Sequence, residues 1–225
     1  MLCVPNYPNK ECQTLMKKVF VINTGSTSTK VAIFHDAERV LQDNLVMPED
    51  VLKDCMTAVA QLPYRSKVVS SWLTDNGYAV SDFDIIAARG GPLPPVKSGA
   101  YLVNQLMVDV LTYAPASAHE SALACMIGAE ITKDCDIPVI IYDGVSVDEL
   151  NDPARYTGFP AIRFSGRGHV LNTKMVCKTV ARKLGKSYGE SVFIVAHLGG
   201  SISVSAHDHG RIVDCTNAFT GPMST

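Results

Sequence analysis

A duplicated pattern constrains this chain more than any other feature. "VFVINTGSTSTKVAIF" (19–34) and "FIVAHLGGSISVSAHDHGRIVDC" (193–215) share one design: an apolar run, a loop of glycines and hydroxyls, a second run, a polar turn and a third run. Placing Asn23 on His197 aligns the two loops, 174 residues apart. In the first copy, Val31 to Phe34 are four residues of strand-like sequence, the polar run His35 to Arg39 turns the chain, and Val40 to Met47 reads as another strand. Glycine loops of the Walker and dinucleotide-binding types pass directly into a helix. Here the loop passes into a strand, so each copy is a hairpin with an anion-binding character, not a helix-dipole site. An equal second copy extends to roughly residue 360. The sequence therefore reads as the front part of a longer two-domain protein.

Between the copies, strands and helices alternate. "PEDVLKDCMTAVAQL" (48–62) has apolar residues at Val51, Leu52, Cys55, Val59 and Leu62, the spacing of one helix. A second helix is predicted over 66–76, ended by Gly77. "DIIAA" (84–88) and "PVIIYD" (138–143) are short buried strands, and helices are expected near 104–112, 117–132 and 170–184. The alternation predicts an α/β domain with a mainly parallel sheet extended by the opening hairpin.

Composition closes off other classes. A net charge of -2 gives no electrostatic case for nucleic acid or an anionic membrane surface. No run approaches eighteen apolar residues, so no membrane span is expected. The seven cysteines include no C-x-x-C pair and their number is odd, which indicates a reducing, cytoplasmic compartment. The leader "MLCVPNYPNKECQTLMKK" contains prolines and no apolar core, unlike a signal peptide, and Met16 is the expected start because Met-Lys-Lys feeds the first strand.

Several residues carry candidate chemistry. In the first loop, Gly25 permits close backbone approach, Ser26 and Ser28 offer hydroxyls, and Lys30 is a compact cation for phosphate oxygens. Gly199 and Gly200 give backbone amides the same access in the second loop, where Ser201 has less φ freedom than a glycine. His197 either shapes that site or is a buried structural residue. Arg89 stands where a buried strand exits into Gly90 and Gly91, and its planar fork suits a carboxylate or acyl phosphate; the alternative is a surface arginine paired with Asp82 or Asp84. Asp143 ends a strand at the carboxyl edge of the sheet, where ligands bind, or else caps the next turn. His169 opens the 170–184 helix, facing an anion or merely capping it. His207 and His209 flank a turn and are expected to be solvated, and the six histidines have no metal-ligand spacing.

Five ordered motifs, "VINTGSTSTK", "ARGGPLPPVKSGAYLVN", "SVDEL", "GHVLNTKMVCKTVARKLG" and "VAHLGGSISVSAHDHGRIVD", together resemble the butyrate kinases of the acetate kinase family over 19–224. The resemblance implies a duplicated actin-like (ribonuclease H-like) ATPase fold: an extension at 1–18, a complete first domain at 19–150, and a linker helix with the start of a second domain at 151–225. It implies reversible phosphoryl transfer between Mg-ATP and butyrate, with butyryl phosphate and ADP as the other pair. Acetate, propionate or a branched-chain acid is the alternative substrate, and a truncated, non-catalytic binding module the alternative class. By the same resemblance, Arg89, Asp143 and His169 are catalytic, with Arg89 holding substrate. Asn23 positions the transferring phosphoryl and its Mg2+, and Gly25, Ser26, Ser28, Lys30, His197, Gly199, Gly200 and Ser201 surround the nucleotide phosphates. Acetate kinases carry bulkier residues where Gly90 and Gly91 stand here, so volume for a longer acyl chain is expected at that point. Gly144 replaces the family's proline after Asp143, and Gly168 an aromatic before His169. The family's second active-site arginine follows the "GP-x-S" element, here 221–224, so the 225 residues alone are expected to turn over negligibly, an arginine on a transferring phosphoryl being worth about 10³ to 10⁵ in rate. Family members assemble as dimers or larger, so a homo-oligomer is expected at full length.

Overall fold

The structure is a computed structural model, and it describes residues 16–55, 57–114, 119–199 and 201–216. Strands β1 (Lys18–Thr24), β2 (Ser28–His35) and β3 (Glu38–Val46) form the opening meander. Helix α1 (Glu49–Asp54) and helix α2 (Leu62–Asp75) follow, then β4 (Ile85–Ala88), β5 (Ala100–Leu102), α3 (Gln105–Tyr113), α4 (Leu123–Ile131) and β6 (Val139–Tyr142). Helix α5 (Val170–Lys183) leads to a second meander of β7 (Val192–Leu198), β8 (Ile202–Asp208) and β9 (Arg211–Cys215).

The first six strands form one sheet in the order β3-β2-β1-β4-β6-β5. β1, β4 and β6 run parallel and the other three joints are antiparallel. The sheet is therefore mixed, not mainly parallel. The three-residue β5 causes part of the difference: it follows a proline-rich loop and is too short to show a period of its own. Phe20, Ile22, Val31, Ile33 and Ile86 bury one face of the sheet against Val69 and Leu73 of α2 and Leu123 and Ile127 of α4. Alternation places Val21, Asn23 and Lys30 on the other face, which is the period-two rule of a half-buried sheet.

The stretch 48–62 is not one helix. α1 ends at Asp54, a 3-10 turn covers Val59–Gln61, and α2 begins at Leu62 with Pro63 in its first turn. Proline has no N–H to give there, so it starts a new helix instead of continuing an old one. α2 stops where Gly77 takes φ +77°, and α5 where Gly185 takes φ +69°. The predicted helix over 117–132 is a 3-10 turn at Glu120–Ala122 running into α4; residues 117 and 118 lie outside the described set.

The two meanders match in detail. Each turns through two residues, with Asp36 and His209 at positive φ, and each has a register shift just before that turn. They differ at the glycine loops: Thr24 pairs Thr29 across the first, whereas Leu198 pairs Ile202 across the second, one residue shorter. His207 is fully buried, contrary to the expectation of a solvated residue. It points to the inner face of β8, with its ring between Tyr188 Oη (2.7 Å) and Ser205 Oγ (2.8 Å). His209 is exposed beside Asp208. No helix of the described residues is long and apolar enough to cross a membrane.

Candidate active site

The parallel strands β1, β4 and β6 deliver their carboxyl ends to one edge of the sheet, and three candidates stand there. Arg89 leaves β4 with its backbone N–H on the Ile22 carbonyl (2.9 Å), and its Nη1 donates to the Thr24 carbonyl (3.1 Å). Its guanidinium thus lies against the entry to the first loop. It pairs with neither Asp82, which accepts from the Ala79 N–H, nor Asp84, which binds Lys17. Desolvation lowers its pKa without threatening its charge.

Gly90 and Gly91 are buried, and the space their side chains leave is already filled. A Cβ on Gly91 stands 2.6 Å from Ala122 Cα, and one on Gly90 stands 3.3 Å from both Gly144 Cα and Ile141 Cδ1. These glycines let β4's exit pack against the 3-10 turn that leads into α4 and against the β6 exit; they do not open a volume for an acyl chain. Gly144, the residue after Asp143, is part of the same close approach.

Asp143 is buried at φ +45°. Its Oδ1 accepts from Ser98 Oγ (2.6 Å) and the Gly99 N–H (2.9 Å), so it binds the preceding loop instead of capping the following turn. Ser98 Oγ also accepts from Lys174 Nζ (2.7 Å), and Lys174 is 3% exposed and paired with Glu149 Oε2 at 2.7 Å. Glu149 in turn accepts from the Ile212 N–H. A buried chain of polar groups therefore runs from Asp143 through α5 to β9.

His169 occupies the N-cap position of α5 without capping it. Its ring stacks on His197 with centroids 3.6 Å apart, Nδ1 meets Ser203 Oγ (2.9 Å) and Nε2 meets Ser201 Oγ (3.1 Å). Desolvation, then His197, then Arg89 lower its pKa, which favours the neutral imidazole. The charge of Arg89 thus helps to disfavour protonation of His169.

In the first loop, Asn23 and Lys30 are register partners, both exposed on the outer face, bordering a shallow groove with Arg39 and Asn44. Ser28 is half-buried, and Gly25 donates its N–H to the Ser28 carbonyl (2.8 Å). In the second loop, Gly199 and Ser201 are described and Gly200 is not.

Two residues at helix core positions escaped the sequence reading. Arg65 of α2 is 1% exposed and makes six hydrogen bonds, two to Gln61 Oε1 and four to the first loop and its exit. Lys174 of α5 is the other. Their signal was present: Arg65 shares the helical face of Leu62, Val69 and Leu73, and Lys174 that of Val170, Cys177 and Ala181. A charge on an apolar stripe needs buried partners.

The donor sets fit the groups that the motifs imply. Exposed Ser26 and Thr27, with Lys30 alongside, offer N–H and ammonium donors to a polyphosphate. Among the described residues no group of three His, Cys, Asp or Glu could hold a metal. A magnesium ion that keeps its waters and phosphate ligands needs only one or two protein oxygens, which Asn23 can supply in part.

No family model matches the chain. It is 43% identical over 210 residues to a protein named probable butyrate kinase 1 from Thermotoga maritima, a match covering 93% of this chain and 59% of that protein. It is 40% identical, with the same coverage, to probable butyrate kinase 2 from Caldanaerobacter subterraneus subsp. tengcongensis. The chain therefore spans about three-fifths of the length of these relatives. Among solved structures it resembles acetate kinase from Porphyromonas gingivalis (TM-score 0.65, 16% identity, 91% of this chain and 58% of that one) and a propionate kinase from Francisella tularensis (TM-score 0.63, 18% identity, 90% and 58%). The resemblance read from the five motifs is borne out in sequence by the named relatives, and the fold is that of the front part of these kinases.

Proposed function

We propose that this chain forms the carboxylate-binding and phosphate-binding part of a butyrate kinase, which exchanges a phosphoryl group between Mg-ATP and butyrate. The observation that carries the reading is the position of Arg89, against the carbonyl of Thr24 at the mouth of the first glycine loop and within electrostatic reach of His169. One guanidinium there can hold a carboxylate beside the donors of a phosphate loop, which is the juxtaposition that the reaction needs.

Mg-ATP, when bound, supplies the transferable phosphoryl group and the charge of the metal. Arg89 orients the carboxylate, whose oxygen forms the new P–O bond as the bond to ADP breaks; the reverse direction makes ATP from butyryl phosphate. Asn23, Lys30 and the loop amides steady the phosphoryl oxygens, and neutral His169 donates to them after exchanging a serine hydroxyl. Such a transfer depends on positioning and charge neutralisation, not on a protein nucleophile. Asp143 holds the 98–99 loop in place beside this edge. Residues 19–150 serve as the first domain, and 151–225 as a connecting helix and the opening of the second. Acetate or propionate remains the competing substrate, since the filled space around Gly90 and Gly91 removes one argument for a longer chain.

The test has two arms. The 225-residue chain, labelled with 15N, is titrated with butyrate, acetate and butyryl phosphate, and saturable shifts at Arg89 and its neighbours are expected. The chain extended to the length of its relatives is assayed for ATP-dependent hydroxamate formation, with butyrate preferred. Absence of binding in the first arm together with absence of turnover on every short-chain acid in the second overturns the proposal.

A further inference from the structure

The first glycine loop is held from below by a cation. Arg65 Nη2 donates to the carbonyls of Gly25 (3.0 Å) and Ser26 (3.0 Å), and Nη1 to the Ser28 carbonyl (3.1 Å) and Thr29 Oγ1 (2.8 Å). Gln61 Oε1 fixes the guanidinium from the opposite side by accepting from Nε (2.9 Å) and Nη2 (2.8 Å). None of these acceptors is a carboxylate. Glu120 acts on Arg65 only through its charge, and desolvation outweighs it in setting the direction of the arginine's pKa.

The geometry has a consequence for the loop's other side. In a trans peptide the C=O of one residue and the N–H of the next point in opposite directions. Drawing the Gly25 and Ser26 carbonyls inward therefore turns the Ser26 and Thr27 N–H groups outward. Both residues are exposed, and neither amide donates a hydrogen bond among the described residues. Two adjacent outward N–H groups over a buried guanidinium offer a pair of donors to an anion. A peptide flip, the usual way for such a loop to lose its donors, breaks a bond to Arg65.

We propose that Arg65 is a positioning residue, which never touches the anion but fixes the first loop with the Ser26 and Thr27 amides presented to phosphate oxygens. The assignment rests on the phosphate-binding part of the function proposed above. It goes beyond that reading because it places the control of phosphate affinity in α2, at a residue that belongs to none of the five motifs.

The probe is inorganic tripolyphosphate, titrated into the 15N-labelled full chain. In the wild type, the Ser26 and Thr27 amide signals shift and saturate. Arg65→Lys keeps a charge but cannot span three carbonyls, and is expected to weaken binding at least tenfold with a native far-UV spectrum, while butyrate shifts at Arg89 are unchanged. Gln61→Leu, which leaves the arginine but removes its lower brace, is expected to weaken binding about threefold and serves where Arg65→Lys fails to fold. Wild-type tripolyphosphate affinity in a folded Arg65→Lys or in Gln61→Leu overturns the proposal. So does saturable binding that bypasses the Ser26 and Thr27 amides. A wild type that binds no tripolyphosphate overturns the phosphate-binding function itself, and Arg65's role with it.

Discussion

The two glycine loops grow from the same meander and are stabilised by different means. The first has a buried guanidinium beneath it, tied to three carbonyls and a threonine hydroxyl. The second is one residue shorter; Gly199 donates its N–H to the Ser201 carbonyl (3.3 Å), and the other described contacts there are between side chains: His169 joins Ser201 to Ser203 and stacks on His197. A buried arginine constrains peptide planes, whereas a histidine braced by hydroxyls can exchange its partners one at a time. Duplication therefore copied the scaffold but not the means of support. The first loop is held through its backbone carbonyls, and the second, in its described residues, mainly through side chains.

The sharpest way to break this contrast is to remove the cation. Arg65→Met leaves Gln61 Oε1, Thr29 Oγ1 and three carbonyls without their buried partner, and is expected to cost about 3–5 kcal/mol in urea unfolding. His169→Ala is expected to cost about 1–2 kcal/mol, since the half-buried Ser201 hydroxyl it abandons can turn to water while that of Ser203 stays buried. Equal losses would erase the distinction between the loops.

A pH titration of stability probes the scaffold of the second meander. His207 is fully buried and its pKa is pushed down to about 4, mainly by desolvation. The folded value lies below the unfolded one, so the contribution of the neutral ring is complete above about pH 6.5. It falls away between that pH and about 4, by at most about 3 kcal/mol. His207→Gln should flatten that slope, and an unchanged slope would assign it to other groups.

Smaller effects are expected at the loops' surroundings. Gly91→Ala puts a methyl 2.6 Å from Ala122 Cα and should cost about 1–3 kcal/mol by thermal unfolding, more than Gly90→Ala with its 3.3 Å contacts. Ser201→Ala removes one hydroxyl from His169 and should change stability by less than about 1 kcal/mol, while raising the exchange rate of the His169 ring protons seen by NMR.

Much of the molecule was legible from residue order. Strand period, glycine loops and turn residues are local signals, so both meanders, β4, β6, α3 and α5 fall where the sequence puts them, within about three residues. Where local signals compete, the reading weakened: apolar spacing over 48–62 argued for one helix, but α1 stops at Asp54 and a new helix starts at Leu62 with Pro63 in its first turn. β5 has three residues and exists only because β6 offers an edge.

The sequence alone determined the duplicated hairpins and the list of candidates, because period and motif are written in neighbouring residues. Tertiary structure decided what those candidates face. It buried His207 inside the second meander, filled the space beside Gly90 and Gly91 with Ala122, Gly144 and Ile141, and tied Asp143 through Ser98 to Lys174. It also set Arg65 under a loop some forty residues earlier in the chain. A buried charge has to be matched by partners that come from distant segments, and no local pattern records which segments those are.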